Sequence, residues 1–278
     1  MQRGYRVPDG IVTGSPDAPA LLDWIEPDKS YAVRPSASVE DMPGSSFSGQ
    51  FVAVLGVVGA EAVQRAVARV LDSTRAERLK PSLQRAGVRA GDIQMHVVVQ
   101  EMVGSVMSGV VSSRNPLTGL SDIVIEAVHG TGEGLVSGKA TPERWVQHWG
   151  EWTQRPDDSV VPAAVAAELS TLVAAVADEW GGPIDLEWSW DGERLYLLQV
   201  RPMTGTDVPV YSNRLAKEYL PGIIPPLVWS VNVPLVNGAW IELFTSMVGP
   251  LGLEPEDLSR QFAYRAYFNM KAIGDIFE

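Results

Sequence analysis

The chain has 278 residues, 45% of them hydrophobic and 20% charged, enough apolar material for one bilobed domain or two modest ones, which excludes global disorder. A formal net charge of −12 sets the overall field against nucleic acid and anionic lipid, whereas a small anion needs only a local basic patch. Cysteine is absent, which excludes disulfides, thiolate metal sites and cysteine nucleophiles, and His96, His129 and His148 are too scattered to read as a metal set. The opening MQRGYRVPDG lacks the apolar core of a signal peptide, and Lys, Arg, Asp, Glu or Gly interrupts each apolar run before spanning length, so a cytoplasmic protein without a membrane partner is expected. Residues 31–37 and 51–58 read as two strands of a hairpin around the turn MPGSSFSGQ. Over residues 60–72 the apolar positions Val63, Ala66, Val67, Val70 and Leu71 follow helical spacing, with Glu61 in the first turn. Residues 95–103, 106–112 and 122–128 are β-branched runs, predicted as three strands of one sheet. Pro162 opens a helix with Val165, Leu169, Leu172, Val173 and Val176 on one face, stopped by Gly181 and Gly182. A hairpin follows, IDLEWSW, the turn Asp191-Gly192, and RLYLLQVRP, and then a linker, TGTDVP, and a tail of helical pieces.

The hairpin presents polar residues where a core would need none. Asp185 and Glu187 share one face of a period-two strand, and Gln199 and Arg201 share a face of the return strand. The Glu187 and Gln199 oxygens suit Mg²⁺, a hard cation that borrows the rest of its shell from phosphate and water, and Arg201 could neutralise a transferred phosphoryl group. The plain alternative is a half-exposed hairpin with ordinary polar residues on its solvent face. Strand parity adds a condition: across a strict two-residue Asp191-Gly192 turn, Glu187 would oppose Tyr196 and Gln199 would point the other way. Shared ligation therefore requires an odd loop or a bulge, and a three-residue loop with Gly192 in the left-handed region is the simplest solution. A second constellation is AVRPSASVEDMPGSSFSGQ, where Arg34 ends an apolar strand and enters a loop of small residues able to approach phosphates through backbone N–H groups, against the alternative of a plain surface turn. The segment HGTGEGLVSG lacks the GK[ST] of a P-loop, and His129 beside it has no acid or nucleophile paired with it in sequence.

Taken together, VRPSASVEDMPGSSFSGQF, VVVQEMV, SGVVSSRNPLTG, IVIEAVHGTGEGLVSGKATPERW and IDLEWSWDGERLYLLQVRP resemble, in order and spacing, the ATP-binding domain shared by phosphoenolpyruvate synthase, pyruvate phosphate dikinase and rifampicin phosphotransferase. The resemblance covers residues 31–202. It implies an α+β, ATP-grasp-like bilobed nucleotide-binding domain over residues 1–203, with residues 204–278 as a linker and a mainly helical extension. It further implies that Arg34 and Arg201 contact phosphates, that Gly49 approaches the nucleotide, that Gln100 lies near the adenine or ribose, and that Glu187 and Gln199 hold Mg²⁺ with ATP. The family's N-terminal GGK segment and its carrier-histidine motif are not found here, Ala53 stands where a hydrogen-bonding residue is typical, and Pro35 replaces a serine.

The function expected from this resemblance is to bind Mg-ATP and begin a dikinase-type phosphoryl transfer to a carrier histidine on another chain or on a segment not present. Two alternatives remain at this stage: a catalytically incomplete member of the family, and an autonomous ATP-grasp ligase that makes an acyl phosphate. In the tail, Trp229, Trp240, Ile241, Phe244 and Met247 are expected to form an apolar helical surface, with Phe262, Tyr264, Tyr267, Phe268, Ile273, Ile276 and Phe277 as a second cluster. Such a tail either folds back on the nucleotide-binding core or docks on another subunit or a second copy.

Overall fold

The computed structural model describes residues 4–39, 50–76, 79–132, 140–203 and 209–276. Two antiparallel sheets carry the fold, each with a helix packed on one face. The first has the order β1-β4-β2-β3, from β1 (Gly10–Thr13), β2 (Ser30–Ala37), β3 (Val54–Val58) and β4 (Met95–Glu101). Tyr31, Val33, Val97 and Val99 project from one face onto Val63, Ala66, Val67 and Val70 of the helix Ala60–Asp72, and all are buried. Period-two strands meeting a 3.6-period helix produce this single apolar layer. Ala32, Arg34, Val98 and Gln100 therefore lie on the opposite face. Gly56, at φ +70°, sits in a bulge of β3, where two residues oppose Ala32.

The expectation that Arg34 ends its strand is corrected: β2 runs on through Pro35 to Ala37, paired along its length with β4. Pro35 is tolerated there because β3 pairs only as far as Val33, so the ring stands on a free edge.

The second sheet has the order β10-β9-β5-β6-β7-β8, from β5 (Met107–Ser112), β6 (Asp122–His129), β7 (Glu143–His148), β8 (Glu151–Gln154), β9 (Ile184–Trp190) and β10 (Leu195–Pro202). The helix Ala163–Trp180 covers one face, burying Val165, Leu169, Val173 and Val176 against Val111, Ile125, Trp145, Ile184, Leu186 and Trp188. Gly181, in the left-handed region at φ +81°, ends that helix as its sequence predicts. The three β-branched runs do not form one sheet: β4 belongs to the first, and β5 and β6 to the second. The chain crosses between sheets at residues 102–106, a step that strand composition cannot reveal.

Glu143 shows how the second sheet is tied to its helix. Its carboxylate accepts hydrogen bonds from Ser159 Oγ (2.5 Å), Val160 N (2.9 Å), Val161 N (3.1 Å) and Trp145 Nε1 (3.2 Å), fixing the segment that leads into Pro162. Partial burial pushes this carboxyl up, but the four hydrogen bonds outweigh it and hold it below the usual glutamate range. A depressed folded pKa gives stability that is present above the unfolded value and is lost as pH falls through the folded one. Glu143→Ala should cost about 1–3 kcal/mol at pH 7, as expected for stranded buried donors, and the deficit should shrink on acidification. Urea melts of both proteins at pH 7 and below pH 4 check this; a deficit independent of pH would contradict it.

Residues 209–276 form a further core around Ile224, Leu258, Ala266, Phe268 and Ile276, with a three-stranded sheet of order β11-β13-β12 from β11 (Tyr211–Ser212), β12 (Ser259–Phe262) and β13 (Arg265–Asn269). The extension is mainly helical, as expected, with this small sheet added to it. Its helices include Pro226–Asn232 and Gly238–Val248, joined by a π-helical turn Val233–Asn237. Pro234 accounts for the turn, since proline lacks the N–H and clashes with the carbonyl of the preceding turn. Trp229, Ile241 and Phe244 pack inward rather than forming an outer surface, as do Phe268, Ile273 and Ile276, while Phe262 and Tyr264 are exposed and Phe277 lies outside the described residues. By length and composition the run Pro226–Val248 could cross a membrane, although Gly238 and Glu242 interrupt it.

Candidate functional site

The polar residues singled out in the hairpin meet because of one bulge. Trp190 pairs with Leu195 and Leu197 with Trp188, but beyond Leu198 the register shifts, and Gln199 pairs with Glu187 and Arg201 with Asp185. The required change of parity is therefore supplied by a bulge at Leu198 and not by the three-residue loop expected. The turn itself is even, with Asp191 N donating to Arg194 O, and Gly192 takes φ +106°. Asp191 Oδ1 accepts from Glu193 N (2.9 Å) and Arg194 N (2.7 Å), so this aspartate closes the turn and its carboxyl is held below the usual range by those two amides.

Glu187 and Gln199 thus stand side by side on the face away from the helix, with Asp185 and Arg201 as the next cross-strand pair. The first sheet reaches the same point from the other side: Arg34 Nη1 donates to Glu187 Oε2 at 2.8 Å and to Gln199 Oε1 at 3.3 Å. Arg201 Nη2 donates to the same Gln199 oxygen at 3.1 Å. The Arg34 and Glu187 side chains are only 22% and 18% exposed, so this ion pair lies in a cleft between the sheets and not on an open surface. Arg34 Nε is buried and makes no hydrogen bond among the described residues.

Gln100 is buried on the Arg34 face of the first sheet. It pairs with Ala32, two residues along from the Arg34–Val98 pair, and precedes the crossover between sheets. Gly49 and the rest of its loop lie outside the described residues, as does much of the glycine-bearing segment after His129.

Asp185 was placed on the Glu187 face by parity but given no role. Burial pushes its carboxyl above the usual aspartate range, against the Ser112 Oγ hydrogen bond (2.5 Å) and the charge of Arg201. Its spacing two residues before Glu187 was the available signal. His148 counted in the sequence only as one of three histidines too scattered for a metal set, yet its Nδ1 lies 2.6 Å from Asp122 Oδ1, and Asp122 is held in turn by Asn115 Nδ2 at 2.9 Å. Only the β6–β7 register brings these together.

Among the described residues no three His, Cys, Asp or Glu side chains converge on one point. One carboxylate and one amide oxygen are a sparse set for a metal held by protein alone. They fit a hard cation completed by phosphate oxygens and water, and both oxygens already face a positive group in Arg34.

Comparison with known proteins identifies the kind of domain that carries these residues. Residues 20–153 match the family described as pyruvate phosphate dikinase, AMP/ATP-binding domain. The chain carries a dikinase-family ATP-binding domain. It is 34% identical over 200 residues to a probable phosphoenolpyruvate synthase of Archaeoglobus fulgidus, covering 62% of this chain and 27% of that protein. It is 33% identical over 219 residues to a rifampicin phosphotransferase of a Streptomyces species, covering 69% and 25%. The chain thus spans about a quarter of the length of these relatives. A D-alanine-D-alanine ligase structure from Helicobacter pylori overlaps 73% of this chain and 51% of its own, with a TM-score of 0.44 at 10% identity.

Proposed function

We propose that this dikinase-type domain binds Mg-ATP in the cleft between its two sheets, in an ATP-grasp-like manner, and begins the transfer of a phosphoryl group to a histidine carried elsewhere. The observation that carries the proposal is the meeting of Arg34, from the first sheet, with Glu187, Gln199 and Arg201, from the second, around one point. Phosphoryl transfer asks a protein mainly to position the reactants and to neutralise charge, and this cluster has the groups for both.

Glu187 and Gln199 would hold Mg²⁺, which when bound neutralises charge on the phosphates. Arg34 and Arg201, on opposite walls, would contact phosphate oxygens through their planar donor forks. Gln100, at the crossover between sheets, would lie beside the adenine or ribose, and Gly49 would bring its backbone N–H to the nucleotide. Asp185, backed by Ser112 and opposite Arg201 across the strand pair, would help to keep that guanidinium oriented. A cytoplasmic setting, where ATP is available, goes with this assignment.

Titration calorimetry with Mg-ATP, followed by product analysis with a histidine-bearing partner domain of the family added, tests the proposal. Binding with release of AMP and phosphate is the expected result. Heat of binding with ADP as the product would favour ligase chemistry, and no binding would leave a catalytically incomplete domain.

A further inference from the structure

In this structure the oxygens assigned to the metal are taken by an arginine. Arg34 Nη1 alone makes both contacts, 2.8 Å to Glu187 Oε2 and 3.3 Å to Gln199 Oε1, so the guanidinium meets its partners end-on rather than through its fork. Its Nε is buried and makes no hydrogen bond among the described residues. A purely structural ion pair in a cleft would use the fork and satisfy its donors, because each buried donor left over costs free energy. A guanidinium and a divalent cation also cannot occupy the same pair of oxygens, since their repulsion is strong where water is largely excluded.

We propose that Arg34 is a displaceable latch, which holds the Glu187 and Gln199 oxygens and must leave them before a metal can reach them. The inference rests on the assignment of Glu187 and Gln199 as metal ligands. The triphosphate is the group that draws Arg34 away: phosphate oxygens match the planar fork, and the unused Nε gains a partner in the move. Nucleotide and metal then favour each other's binding, because the first frees the ligands of the second.

The test uses Mn²⁺ as the probe without nucleotide, with free ion followed by electron paramagnetic resonance. Parent, Arg34→Ala, Glu187→Gln and the double variant are compared after circular dichroism confirms that each is folded; Arg34→Met, which keeps the apolar stem, replaces Arg34→Ala if the latter is not. Removing the latch should tighten Mn²⁺ binding about tenfold, the equivalent of one charge-assisted hydrogen bond no longer in competition, and the double variant should lose that gain. Unchanged or weaker Mn²⁺ binding by Arg34→Ala overturns the latch. The metal assignment would survive that result provided Glu187→Gln still abolishes stabilisation by Mg-ATP. A gain that persists in the double variant places the ion elsewhere and overturns both.

Discussion

Glu187→Ala and Arg201→Ala should fold and yet lose all stabilisation by Mg-ATP. Both side chains lie on the face of the second sheet turned away from its helix, so neither contributes to the apolar core around Leu169, Leu186 and Trp188. A ligand that binds only the native state at about 100 times its dissociation constant adds about 2.7 kcal/mol, or roughly 5–10 °C in a chain of this size. The parent should show that shift in a thermal melt and the variants none. Glu187→Ala should also melt lower without ligand, because Arg34 is left without its carboxylate in a largely buried place, at a cost of about 1–3 kcal/mol. Glu187→Gln keeps the volume and one oxygen, which separates loss of charge from loss of packing. Equal stabilisation of parent and variants by Mg-ATP would remove these residues from the site.

The pieces of this cluster were legible in the sequence to the extent that period two is. Asp185 and Glu187 had to share a face once the strand was recognised, and so did Gln199 and Arg201. Whether the two pairs faced the same way depended on a single residue of parity, and sequence could state the condition without locating its solution. The chain meets it at Leu198, inside an apolar run LYLLQV in which no glycine or proline marks a bulge. The loop was the more natural guess because Gly192 does adopt positive φ, but Asp191 uses that freedom to close an even turn.

Sheet membership was hidden for a different reason. Strands over residues 95–101, 107–112 and 122–129 are equally β-branched, and only the crossover at residues 102–106 assigns the first to one lobe and the others to the next. That crossover matters most for the site, because it turns the Arg34 and Gln100 face toward Glu187. Strands β7 and β8 went unread because Glu143–His148 mixes charge with aromatic residues, and its alternation makes sense only once Trp145 is seen packing against the helix while Arg144 faces the other way. In the tail, a three-stranded sheet with strands of two to five residues gave no periodicity long enough to read.

Purified protein should self-associate, and breaking one row of side chains should abolish the association. Leu227, Val231, Leu235, Leu243 and Met247, spaced by four or eight residues, are 78%, 53%, 67%, 49% and 66% exposed. Residues four apart drift by about 40° per step on a straight α-helix, whereas the π turn Val233–Asn237 winds more slowly and offsets part of that drift. The row therefore stays on the outer side over about 30 Å, opposite the inward-facing Trp229, Ile241 and Phe244. Rows of this spacing interlock with one another when two helices cross, so the surface can complement itself about a two-fold axis. Glu242 is the one charged residue of the 226–248 run, so nearly all of the net charge of −12 is carried elsewhere and does little to keep two such rows apart. In a pure solution a second copy is available to cover the row, whatever covers it in the cell. Sedimentation velocity should show a concentration-dependent dimer or larger species for the parent. Leu227→Glu with Leu235→Glu, or removal of residues after about 204, should return a monomer that keeps its response to Mg-ATP, because the row lies outside the cores around Val67 and Leu169. A parent that stays monomeric to high micromolar concentration would show that the exposed row is tolerated in water, and association retained by the double glutamate variant would place the contact on another face.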